Sequence, residues 1–396
     1  MLSPRTRTVA ALGTAQTLAW ASSYYLPAIV AAPIARELEV SVPTVFAAFS
    51  VALVVSALLG PHAGQAIDRW GGRPVLSGTS LVFAAGLALL GLAQGPIALF
   101  AAWIVLGVGM GSGLYEGAFA ALVRLEGHAA RRSITGITLI AGFASTVGWP
   151  LTAWLLAHWD WRTACFTWAA LHVLLGLPLN LSLPRAQALV VAAKGTASPP
   201  TKVPATTTLL LSFVFAATLF TSTAMAAHLP RVLQAAGSTA AMAIAVGTLI
   251  GPAQVVARLF EYGVLSRVHP LLSARLASSM HPVGAAALWL AGPIAAPVFG
   301  VLHGAGNGIL TIAKGTLPLA LLGPAGYGQR QGVLMVPARI TQAMAPWLFG
   351  LALDRWGAGA LVLSSALGLA ALGALLLLHP GGEATPRNMA AGDAQA

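Results

Sequence analysis

The sequence predicts an all-α membrane protein of twelve transmembrane helices in two pseudo-symmetric six-helix bundles, and three observations predict it. Of 396 residues, 57% are hydrophobic and only 8% charged, a balance foreign to soluble domains of this length. The apolar residues gather into runs of about 20, the length that crosses a hydrocarbon core. Patterns in the first half return in the second at nearly constant offsets, as expected of a unit repeated about an axis along the membrane normal.

Runs between charged, Pro-rich or Gly-rich breaks cover 8–32, 43–64, 75–93, 96–122, 134–157 and 163–183, then 207–229, 239–260, 270–291, 293–322, 333–353 and 359–379. Only Ala291, Gly292 and Pro293 separate the ninth and tenth. Arg5 and Arg7 precede the first run as in a signal peptide, but the run from Val9 to Ile34 exceeds a signal core and reads as a retained helix. The chain thus divides into an N-terminal bundle (1–183), a cytoplasmic linker (184–206) rich in Pro and small residues, a C-terminal bundle (207–379) and a disordered cytoplasmic tail (380–396).

Three echoes carry the repeat. Gly60-Pro61 returns as Gly251-Pro252, 191 residues later; Gly109, Gly111 and Gly113 return as Gly304, Gly306 and Gly308, 195 later; Pro150 returns as Pro346, 196 later. Glycine weakens a helix in water, but between helices in lipid it lets two backbones approach. Gly109, Gly113 and Gly117, four apart, read as one packing face. Glu116 lies in the same stretch, and an acid within the membrane is expensive enough to be the first functional suspect.

The net charge of +11 does not point to nucleic acid, because the basic residues are scattered through short loops. Fourteen Arg and Lys fall on the side that carries the termini and only Arg36, Arg162, Arg231 and Arg355 on the other, which places both termini in the cytoplasm. The single cysteine, Cys165, excludes an internal disulfide framework and a multi-cysteine metal site. No cofactor is expected. No catalytic constellation is found, and the chain is not read as an enzyme.

The stretch Gly64-Gln65-Ala66-Ile67-Asp68-Arg69-Trp70-Gly71-Gly72-Arg73, placed in the loop after the second span, resembles the signature of the major facilitator superfamily, Gly-x-x-x-Asp-Arg-x-Gly-basic-basic. It departs at Gly72, where a basic residue is expected. The resemblance implies a gate at the cytoplasmic side that includes Asp68, Arg69 and Arg73. Asp68 stands at the negative end of a helix dipole, so it needs a basic group or another helix N-terminus to compensate. Asp354-Arg355-Trp356-Gly357 falls on the outer side and is taken as coincidence. The stretches Gly251–Arg258, Gly142–Val147 and Lys314–Pro318 are similar to bacterial members of the monocarboxylate and oxalate/formate group. The fifth span carries Gly148-Trp149-Pro150 and lacks the Gly-Pro-x-x-Gly-Gly ending of drug/proton antiporters.

The resemblance implies a central cavity lined by spans one, four, seven and ten, and those spans carry polar stripes at helical spacing. Span ten gives His303, Asn307, Thr311 and Lys314; span one gives Gln16, Trp20 and Tyr24; span seven gives Thr218, Thr221, Met225 and His228; span eleven adds Arg339 and Gln342. Glu116, Lys314 and Arg339 lie about six to eight residues from the cytoplasmic helix ends, roughly 9 to 12 Å, so mutual pairing is feasible. Two readings stay open: an ion-pair network that locks the two bundles, or a site where Lys314 or Arg339 holds an anion and Glu116 takes a proton when its cation leaves. His303 is either a ligand or a packing residue; His172 and His281 are read as packing.

The expected protein is therefore a monomeric secondary transporter of the cytoplasmic (inner) membrane, working by alternating access and carrying a small organic anion in symport with protons. Its candidate substrate and coupling residues are Glu116, Lys314, Arg339, Asn307, His303, Gln16 and Tyr24, and its gating residues Asp68, Arg69 and Arg73. The competing expectation is an efflux pump for hydrophobic or drug-like compounds. A sensor without transport is the third.

Overall fold

The computed structural model describes residues 3–185 and 205–379. The linker expected at 184–206 lies almost wholly outside them, as does the tail at 380–396, and with these Lys194, Lys202 and Arg387. Among the described residues there are helices and turns but no strand.

The described residues form sixteen α-helices, in order. In the first segment they are α1 (Pro4–Ser22), α2 (Pro27–Glu37), α3 (Val42–Trp70), α4 (Gly72–Gly91), α5 (Pro96–Gly113), α6 (Tyr115–Glu126), α7 (Ala130–Ala141), α8 (Ala144–His158), α9 (Trp161–Leu171) and α10 (Leu177–Leu181). The second segment contains α11 (Ala205–Ala235), α12 (Ala240–Gly263), α13 (Pro270–Ala291), α14 (Ala296–Leu322), α15 (Tyr327–Trp356) and α16 (Ala360–Leu377). Starts follow local chemistry: the side chains of Ser3, Ser41, Asp160 and Thr239 each accept a backbone N–H of the first turn of α1, α3, α9 and α12.

Nine helical runs among the described residues are long and apolar enough to cross a membrane. Three of them, Pro96–His158, Pro270–Leu322 and Tyr327–Leu377, exceed 50 residues, room for two crossings each at about 20 residues per crossing. The runs therefore accommodate the twelve expected spans. Several boundaries differ from expectation, among them the first span, broken into α1 and α2, and the seventh, which runs on to Ala235; two others have a local cause. The signature placed in a loop is helical through Trp70, because the turn waits for Gly71 at φ 85°. Span eleven, expected from 333, begins at Tyr327: its start is set by Gly326 at φ 58°, while Gly332 is interior and packs on Pro61.

Leu18, Phe83, Trp103, Trp161 and Trp168 anchor a core in the first segment, and Phe299 and Phe349 with Val246 and Leu288 anchor one in the second. The segments meet mainly through α3 running antiparallel to α15, with α6 on α15 and α7 on α12 and α14. The two glycine stripes serve the same purpose in each segment, close helix packing. Gly107 and Gly111 pack on the backbone of Ala52 and Ser56 in α3, and Gly304 and Gly308 on that of Ile250 and Gln254 in α12. By contact the repeat runs from Gly107 to Gly304, 197 residues, so the 195-residue offset is out of register by two. Nor do Gly109, Gly113 and Gly117 form one face. The first two abut Phe83, but the helix breaks between Gly113 and Tyr115, and Gly117 faces Ser112 and Leu76.

Candidate functional site between the two segments

The break in span four builds the site. Leu114 leaves helical geometry (φ −82°, ψ −165°), which ends α5 and starts α6 inside the apolar run Pro96–His158. Backbone groups freed there need partners, since lipid offers none. Gln16 on α1 supplies one: its Nε2 donates to the Gly113 carbonyl at 2.7 Å. Glu116 falls in the first turn of α6, where the positive end of the helix dipole favours an anion.

Across the interface, one guanidinium nitrogen of Arg339 on α15 donates to both Glu116 oxygens at 3.0 and 2.8 Å. Its other terminal nitrogen donates to Gln342 Oε1 at 3.0 Å, and Gln342 Nε2 donates to the Tyr24 hydroxyl at 3.0 Å. A continuous chain thus runs from α6 through α15 to the α1–α2 break. Tyr24 and Tyr115 pack on Trp20, at ring distances of 5.2 and 4.8 Å, and the Trp20 indole N–H is buried without a partner among the described residues.

The ammonium of Lys314, a half-buried residue of α14, makes no hydrogen bond or ion pair with a described residue, yet lies in Coulombic range of Glu116, Arg339 and Arg258. Arg258 was missed in the sequence, where its place near a span end groups it with the cytoplasmic loops. It is 6% exposed, and its Nη1 donates at 3.0 Å to the Thr138 carbonyl of the other segment. Lys314 therefore has one carboxylate and two guanidinium groups within Coulombic range, and the carboxylate is bonded to Arg339. His303 and Asn307 do not join this group: they line a cavity inside the second segment with Thr218, Thr221, Ser278 and His281.

Toward one end, polar contacts cross between the segments. Asp68 on the last turn of α3 accepts the backbone N–H groups of Gly328 and Gln329 at the start of α15, both at 2.9 Å. The compensating helix N-terminus that Asp68 required is thus α15. Of the other expected gate residues, Arg69 lies over its neighbour Trp70 and Arg73 makes no hydrogen bond or ion pair with a described residue. Gly72 cannot be the missing basic residue, because a Cβ there would strike Ala121. A second crossing, which no sequence pattern signals, is Arg131 on α7 with Glu261 on α12 at 3.2 Å; Arg131 also donates to the carbonyls of Leu265 and Val268. At the opposite end the ion pairs Glu37–Arg162 and Arg231–Asp354 each stay within one segment.

A family model for the Major Facilitator Superfamily matches residues 12–332. The chain belongs to the major facilitator superfamily. It is 33% identical over 128 residues to the multidrug resistance protein MdtH of Aeromonas salmonicida (strain A449), 32% of each chain. To MdtH of Shigella dysenteriae serotype 1 it is 32% identical over 117 residues, 29% of this chain and 28% of the relative. The matches span about a third of the length of these curated relatives. Among solved structures, the human organic anion transporter MFSD10 (TETRAN) aligns with TM-score 0.68 at 15% identity over 94% of this chain and all of that one. The transporter FucP in its outward conformation aligns at TM-score 0.71 and 13% identity, over 94% and 99%. These likenesses establish a shared fold. Within that superfamily fold, the Asp68 signature and the Glu116–Arg339 pair both sit on the α3, α6 and α15 surfaces that join the segments.

Proposed function

We propose that this transporter moves a small organic anion together with protons across the cytoplasmic membrane by alternating access. The observation that carries the reading is a cation without an ion-pair partner among the described residues: Lys314, in Coulombic range of Arg258 and Arg339 and of a Glu116 already bonded to Arg339. A membrane-embedded charge without a counter-ion is expensive, so an anionic solute is the partner such a site favours. The bias of basic residues supports placing the Asp68 end in the cytoplasm. On that placement, residues 1–183 and 207–379 are two bundles locked together at the inner side and able to admit solute from outside. Solute carboxylate reaching Lys314 and Arg339 competes with Glu116 for its cation, and a carboxylate deprived of its cation in a dry site is stabilised by taking a proton. Rocking of the bundles then releases solute and proton inside.

The second reading is efflux of hydrophobic compounds. The partial matches to multidrug resistance proteins favour it, as does the aromatic group of Trp20, Tyr24, Tyr25 and Tyr115.

Proton movement in proteoliposomes separates the two. Adding small carboxylates outside should alkalinise the medium, and Glu116→Gln should abolish this while Lys314→Ala weakens the apparent affinity. Drug-driven proton exchange that survives Glu116→Gln, with no response to carboxylates, would establish efflux instead.

A further inference from the structure

Inside the second segment, away from the Glu116 chain, two imidazoles meet. His281 on α13 and His303 on α14 share a hydrogen bond between their Nδ1 atoms at 3.0 Å, and His281 Nε2 lies 3.0 Å from the Ser364 hydroxyl on α16. The Ser364 hydroxyl donates to the Leu361 carbonyl at 3.1 Å, so its oxygen is free to accept. That fixes the direction of the whole chain. His281 carries its proton on Nε2 and gives it to Ser364; its Nδ1 is then an acceptor, and the bond between the rings requires the proton on His303 Nδ1. His303 Nε2 is left as a lone pair without a protein partner among the described residues.

The rings border a cavity of about 30 Å³ lined also by Thr218, Thr221, Ser278 and Asn307. This is room for one or two waters, at about 10–15 Å³ each, and too little for an organic solute. The Thr221 and Ser278 hydroxyls are buried without a partner among the described residues, so the cavity wall has polar groups able to hold water against His303. Apart from the two imidazoles, no titratable side chain lines the cavity among the described residues. On the packed helices, Arg275 of α13 is engaged with the Leu375 and Leu378 carbonyls, Lys314 of α14 is eleven residues from His303, His228 of α11 is bonded to the Pro346 carbonyl, and described α16 has no charged residue.

We propose that the His281–His303 dyad is a proton-binding site of the second segment, taking one proton on His303 Nε2. The balance is simple. The incoming proton bonds to the Nε2 lone pair, no bond breaks, and the new imidazolium keeps its Nδ1–H donated to His281. A second proton would have to enter on His281 Nδ1, turning donor against donor, so the pair takes one proton and not two. Asn307, one turn from His303 and facing the same cavity, and then Thr311 and Lys314, continue the polar face of α14 toward Glu116.

The test needs no solute, so its outcome is independent of whether the transported species is an anion or a drug. Protein labelled with 15N-histidine in liposomes is followed by solid-state NMR from about pH 8 to about pH 4. Expected at high pH are an Nε2–H tautomer for His281, an Nδ1–H tautomer for His303 and scalar coupling across the Nδ1–Nδ1 bond. On acidification one imidazole, His303, becomes imidazolium while that coupling persists. His303→Gln should remove this one titration, and proton uptake measured with a pH-indicator dye should fall by one proton per protein. The proposal is overturned by an Nε2–H tautomer at His303, by both rings staying neutral across the range, or by both becoming imidazolium.

Discussion

Asp68 accepts the N–H of Gly328 on one carboxylate oxygen and that of Gln329 on the other, so the end of α3 caps the start of α15. The α3 dipole alone would repel this anion; the α15 N-terminus attracts it, and the two segments are held shut by the difference. Hydrogen bonds to a charged group are worth about 1.5–3 kcal/mol each. Asp68→Ala should therefore shift the closed-to-open ratio at this end by tenfold or more, on the order of 2 kcal/mol. Spin labels at Gln65 and Gln329, in a Cys165→Ser background, report it as a longer distance population. An unchanged distribution would refute the cap as a lock.

Close backbone approach is the other half of that closure. A Cβ on Gly64 would collide with the Gly328 carbonyl, whereas one on Gly60 would meet Gly332 Cα at an ordinary 3.8 Å. Gly64→Ala should open the same end by about 1–3 kcal/mol of overpacking, and Gly60→Ala should leave it closed. The same label pair tests both. Equal effects from the two substitutions would mean that helix propensity, not contact, is responsible.

Hydropathy runs made the spans legible, with span nine found at its observed limits of 270 and 291. The charge triad was legible because an acid or base in an apolar run stands out. Pairing was less so. Depth along the helix allowed Glu116, Lys314 and Arg339 to meet, but only the packing of α6 on α15 selects Arg339 as the partner and leaves Lys314 aside. Arg258 and Glu261 escaped because they sit near a helix end, where a sequence cannot tell a loop from a buried last turn; α12 continues to Gly263 and carries both inside. His281 read as packing since its partner is 22 residues away on another helix.

The pair Glu116–Arg339 is nearly enclosed, its side chains 19% and 5% exposed. Removing one member leaves the other uncompensated, a loss of about 3–5 kcal/mol, whereas removing both costs much less. Arg339→Ala should lower the apparent melting temperature in detergent further than the double variant Glu116→Ala/Arg339→Ala. Melting of the single and double variants, with Glu116→Ala, closes a double-mutant cycle. A double variant no more stable than Arg339→Ala would show that Arg339 acts through Gln342 and Tyr24 instead.

At the Asp68 end, His269 starts α13 with its Nδ1 accepting the Leu271 N–H at 3.2 Å. Burial, and then the charges of Arg131 and Arg275, hold its imidazole below the ordinary 6.5. Protonation would also remove the accepting lone pair. The unfolded chain therefore binds this proton first as pH falls. The stability that His269 contributes is fully present above about pH 6.5 and is lost from there downward through its lowered folded value. Acidification from about pH 7.5 to about pH 5 should lower the melting temperature of the wild type. His269→Asn keeps a capping acceptor that does not titrate, so it should flatten that slope while leaving stability at the upper pH nearly unchanged. A slope equally steep in His269→Asn would assign the acid sensitivity to another group.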